Sequence, residues 1–78
     1  MLLESGRTEE AVGSLRAAIA AAPEMAYAHH NLALALMAQG KNEEAITEAE
    51  TARALAPGDA HTRALLERLR SGMAGGVR

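Results

Sequence analysis

The sequence predicts an all-α chain, a helix-turn-helix repeat solenoid of about four antiparallel helices joined by tight turns. Three observations lead there. A block of 34 residues recurs with its punctuation in place. Alanine, the best helix former, dominates a composition that is 49% hydrophobic and holds a single aromatic residue, Tyr27. Both prolines follow apolar segments with helical spacing, where they stop a helix rather than interrupt one.

The recurrence is legible letter by letter. The string GRTEEA at residues 6–11 returns as GKNEEA at residues 40–45. Gly6 pairs with Gly40, Glu9 with Glu43, Glu10 with Glu44, Ala11 with Ala45, Ala18 with Ala52, Ala20 with Ala54 and Pro23 with Pro57, each pair 34 apart. Matched alanines alone carry little in so alanine-rich a chain. Matched Gly, Glu and Pro at one shared offset carry the repeat.

The first helix is expected over about 8–22. Thr8 offers an oxygen to the free N–H groups of the first turn, and Glu9 and Glu10 suit the positive end of the helix dipole. Ala11, Leu15, Ala18 and Ala22 form one face, small enough for a neighbouring helix to approach closely, and Pro23 ends it. The second helix, about 25–39, presents Ala28, Leu32, Ala35, Leu36 and Gln39 on one side and closes at Gly40, a C′ glycine. The third, about 42–56, repeats the first: Asn42 as cap, Glu43 and Glu44, then Ala45, Ala49, Ala52 and Ala56 before Pro57. Asp59 caps a fourth helix over about 60–71. The glycine-rich segment 72–78 is expected to be a mobile tail.

Several function classes are disfavoured. A formal net charge of -2 lacks the basic surplus of a nucleic-acid binder. The chain has no cysteine, hence neither disulfides nor thiolate metal sites. The apolar run Asn31–Ala38 is too short to cross a bilayer, and no leader-like segment opens the sequence, so the expected location is the cytoplasm, off the membrane. No catalytic, cofactor or metal residues are expected. His29 and His30 are adjacent and diverge by about 100 degrees on a helix. A meeting of His30 with His61 is better read as packing than as a metal site. The serines lack a base at a useful spacing, and no phosphate-binding loop is present.

The 34-residue unit resembles the tetratricopeptide repeat. Leu32 and Ala33 stand for the Leu-Gly pair of its first helix, Gly40 for its inner turn, Ala45 for the small residue opening its second helix, and Ala52 and Pro57 for its closing Ala and Pro. His29, Leu36 and Ala49 depart from it, standing where larger aromatics are common. The resemblance divides the chain into a partial unit over 1–25, mainly a second helix, a complete unit over 26–59, a capping helix over 60–71 and the tail.

It also implies a non-catalytic protein-interaction module that binds a protein or peptide segment on a concave face. The implied partner-binding residues are Tyr27, His30, Leu34, Met37, His61 and Arg68, with Tyr27 as the anchor. The carboxylate clamp of some family members is not reproduced: Asn31 matches one position, but His30, Leu34, His61 and Leu65 replace its Lys, Asn, Lys and Arg. An apolar segment, helical or extended, is therefore the expected ligand. Independently of the resemblance, the run NLALALMAQ is apolar nearly all round, as in a helix buried on both sides or offering a binding face. One complete unit with two partial ones falls below the roughly three that bury a continuous core. Self-association as a homo-oligomeric scaffold or spacer is thus the alternative reading. A third is an arm of a larger enzyme, since such repeats resemble those accompanying glycosyltransferase domains.

Overall fold

The computed structural model describes the backbone over residues 2–77 and the side chains over residues 7–71. Four helices follow one another, α1 (Leu2–Ala21), α2 (Ala26–Ala38), α3 (Asn42–Leu55) and α4 (Ala60–Val77), and no strand occurs among the described residues. Each packs on its neighbour in sequence, most extensively α2 on α3. The result is a slab of 40 × 35 × 16 Å. Bonds and cavities shared by alternate helices put α2 beside α4 and α1 beside α3.

The helix ends follow from local chemistry. α1 stops at Ala21 and α3 at Leu55, each two residues before a proline. The two turns are built alike: the Ala22 N–H donates to the Ala18 carbonyl at 2.8 Å and the Ala56 N–H to the Ala52 carbonyl at 2.9 Å. At the end of α2, Gly40 takes the left-handed conformation with φ of 80°. The Lys41 N–H then reaches the Leu36 carbonyl at 2.9 Å and the Gly40 N–H the Met37 carbonyl at 3.0 Å, a Schellman closure. Asp59 caps α4 as expected, accepting the His61 N–H at 3.0 Å.

Three boundaries differ from expectation. Asn42 is the first residue of α3, not its cap. The tight Schellman turn brings the Lys41 carbonyl into line to accept the Ala45 N–H at 3.0 Å, so the helix begins one residue earlier. Thr8 is likewise not a cap, because α1 begins at Leu2 and runs through Gly6 and Thr8. No proline interrupts that stretch, and a helical glycine costs only about 1 kcal/mol relative to alanine. The same reason carries α4 past residue 71 to Val77, through the segment expected as a tail; Arg78 lies outside the described residues.

The core joins three helices. Leu32, Ala33 and Leu36 of α2 meet Ala45 and Ala49 of α3 and Leu65, Leu66 and Leu69 of α4. Val12, Leu15 and Ile19 of α1 lie against this cluster, partly buried. Ala45, Ala49 and Ala52 are 0% exposed, so the α3 face lets neighbouring backbones come close with no space left over. Each buried leucine contributes about 1.5–3 kcal/mol through apolar burial. The matching face of α1 is not closed in the same way, since Ala11 is exposed and Leu15, Ala18 and Ala22 are half-buried.

Candidate functional site

Where α2 and α4 run side by side, they enclose an open cavity of about 210 Å³, lined by His30, Leu34, His61, Ala64, Leu65 and Arg68. Four of the six expected site residues, His30, Leu34, His61 and Arg68, therefore share one wall. Tyr27 and Met37 do not join them there. Tyr27 stands in the first turn of α2, 73% exposed. Met37 is half-buried and packs against the core. Leu34 is 38% exposed, an apolar side chain left at the surface of an otherwise well-buried helix.

A chain of hydrogen bonds fixes one side of the cavity. The Thr62 hydroxyl lies 3.2 Å from Asp59 Oδ2 and 3.0 Å from His30 Nδ1. A hydroxyl has one proton to donate. Given to the carboxylate, it leaves the Thr62 oxygen to accept from His30 Nδ1–H, so a neutral His30 ring carries its bare nitrogen at Nε2. The His61 backbone N–H holds the Asp59 carboxyl below its ordinary pKa; burial opposes this, while the Thr62 hydroxyl and N–H and the His61 charge reinforce it. Thr62, 1% exposed, is thus a positioning residue that sequence reading missed. Its spacing from the capping residue Asp59, one turn on the same face, was the available signal.

His29 is expected from the sequence to be an ordinary surface or packing histidine, diverging from His30 and standing where a larger aromatic is common. It is buried, with Nδ1 2.8 Å from Glu48 Oε1 on α3 and Nε2 3.0 Å from the Pro23 carbonyl in the turn before α2. The signal was its place three residues before Leu32, four before Ala33 and seven before Leu36, squarely on the core face.

The α2–α4 wall combines the apolar side chains of Leu34, Ala64 and Leu65 with two imidazoles and the Arg68 guanidinium. Among the described residues, no group of three or more His, Asp or Glu side chains is placed to hold a metal ion. None of the described helices is long and apolar enough to cross a membrane.

The chain belongs to the tetratricopeptide repeat family, whose model matches residues 2–69. Comparison with curated proteins gives no match. A tetratricopeptide repeat is in general a protein-interaction module and typically not a catalytic one.

Proposed function

We propose that the protein is a non-catalytic adaptor that takes a partner's apolar segment along the face shared by α2 and α4. The observation that carries this reading is the joint wall of His30, Leu34, His61 and Arg68, in which Leu34 is an exposed apolar side chain. Leu34 and Ala64 supply accessible apolar area, and Arg68 and the imidazoles supply polar anchoring beside it. Tyr27, exposed on the same helix, extends the contact toward the start of α2 as an aromatic anchor. In this reading residues 26–59 form the complete repeat, 1–25 a partial one, and the fourth helix a cap.

The test is a titration of the chain against a panel of short apolar peptides, followed by fluorescence anisotropy. Leu34→Ala and Tyr27→Ala are each expected to weaken binding about tenfold, near 1.4 kcal/mol. Affinity that survives both changes rules out this face as the docking surface.

A second reading, self-association as a scaffold, is favoured by one observation: the α1 face carrying Ala11 is open where its α3 counterpart is closed. Ultracentrifugation across a concentration series separates the two. A monomer throughout excludes the scaffold, and a dimer that forms equally well with Leu34→Ala assigns assembly to α1.

A further inference from the structure

The surroundings of His29 dictate its charge. Its two ring nitrogens face two acceptors: the Glu48 carboxylate oxygen at 2.8 Å and the Pro23 backbone carbonyl at 3.0 Å. An ionised carboxylate and a carbonyl can only accept. A neutral imidazole has one N–H, so it satisfies one of these partners and turns a lone pair toward the other. Both bonds exist together only when both nitrogens carry protons.

We infer that His29 is held as a buried imidazolium, a latch that binds the α1–α2 turn and α3 to α2 and releases one of them on deprotonation. The three attachment points lie on three segments of the chain: Pro23 in the turn, His29 in α2 and Glu48 in α3. The charged groups around it come from each side. Glu48 of α3 is the counter-charge, largely withdrawn from solvent, at 23% side-chain exposure. Arg16 of α1 lines the same cavity as Glu48 and sits 3.8 Å from Glu44, so its charge faces the carboxylates of α3. Glu24 follows Pro23 in the turn and is exposed. His30, next along α2, is engaged with Thr62 toward α4.

Burial disfavours the charged ring, but the Glu48 hydrogen bond, the Pro23 carbonyl and the Glu48 charge outweigh it and raise the His29 pKa above its ordinary value of 6.5. A raised native pKa means that the folded chain binds the proton more tightly than the unfolded one. The stabilisation is fully present below about pH 6.5 and is lost as pH rises through the native value. His30 and Leu34 lie on a different side of α2, lining the cavity shared with α4, so the latch and that wall are carried by the same helix.

Two measurements on the full chain test this. Long-range proton–nitrogen correlation spectra report directly on the ring. At about pH 6.5–7, where a free imidazole is half-charged or less, both His29 nitrogens are expected to give the protonated signature. In Glu48→Gln, one is expected to become bare over the same range. Urea unfolding from about pH 6 to 8.5 is expected to show a midpoint that falls as pH rises, with the fall diminished in Glu48→Gln and in His29→Phe. A neutral ring with one bare nitrogen at about pH 6.5 in the natural chain overturns the inference. So does a pH dependence that both substitutions leave intact. Should His29→Phe not fold, the spectra of the natural chain decide alone.

Discussion

GRTEEA and GKNEEA differ at two letters, yet the first lies inside a helix and the second makes a turn. Gly6 is an interior residue of α1, whereas Gly40 is left-handed and closes α2. The far ends of the same two copies behave alike: both helices stop two residues before proline, and both turns use the same hydrogen bonds within 0.1 Å, the next pair being Met25 N–H to the Ala22 carbonyl at 3.1 Å and Asp59 N–H to the Ala56 carbonyl at 3.0 Å. Proline acts on its own neighbourhood, so its effect is copied wherever the letter is copied. A glycine only permits a left-handed turn. Whether the turn forms depends on what lies on either side of it. At Gly40, α2 and α3 gain extensive contact by folding back on one another, whereas Gly6 lies within the continuous helix α1.

Burial shows the same contrast and offers the sharpest way to break it. Ala45→Leu inserts three carbons where α2 and α4 leave no room, and is expected to cost about 1–3 kcal/mol in urea unfolding. Ala11→Leu, at the matching exposed position, is expected to stay within about 0.5 kcal/mol. Comparable losses at the two sites mean that α1 is covered in solution, and the scaffold reading then gains.

The glycines are expected to respond with opposite signs. Nothing within 4 Å obstructs a Cβ at Gly40, so Gly40→Ala meets only the left-handed backbone penalty, a loss of about 1–2 kcal/mol. Gly6→Ala removes a flexible residue from a helix interior and is expected to gain about 0.5–1 kcal/mol. A shift of the same sign in both thermal midpoints contradicts the helical assignment of Gly6.

The N-terminal ends of α2 and α4 make the smallest contrast. Met25 and Asp59 occupy matched positions 34 apart, but only Asp59 has a side chain that can accept N–H groups. Asp59→Ala is expected to lower the thermal midpoint modestly and to remove a component of acid sensitivity. The sign follows from its depressed native pKa: the stabilisation is present above about 3.8 and lost as pH falls through the native value. An unchanged acid limb in Asp59→Ala argues against the cap, whereas Met25→Ala has no such limb to lose.

These contrasts also sort what could be read before any fold was seen. The Schellman glycine, the proline stops and the Asp59 cap were legible because each acts over four or five residues. Thr8 was misplaced because a capping side chain marks a helix start only where the chain does not already continue as helix, and Asn42 because the Schellman turn at Gly40 starts α3 one residue earlier, from Lys41. That His30, Leu34, His61 and Arg68 share one wall was legible from the repeat register. Met37 was not separable from the core by periodicity, since a helix apolar nearly all round gives no sign of which side faces a neighbour. Leu66 stands 34 residues after Leu32 and shares its buried place, whereas Leu65 and Leu69 match Asn31 and Ala35, so their place in the core emerged only when α4 packed on α3.

By itself the sequence determined the number and order of helices, the 34-residue repeat and the turns that end them, because these rest on backbone preferences of neighbouring residues. Only the tertiary structure decided which of two equivalent alanine faces is buried, that Thr62 joins His30 to Asp59, and that His29 finds acceptors on both sides. The deciding partners lie on other helices: Glu48 is 19 positions from His29 and Thr62 is 32 from His30, separations that leave no mark on the local spacing of the chain.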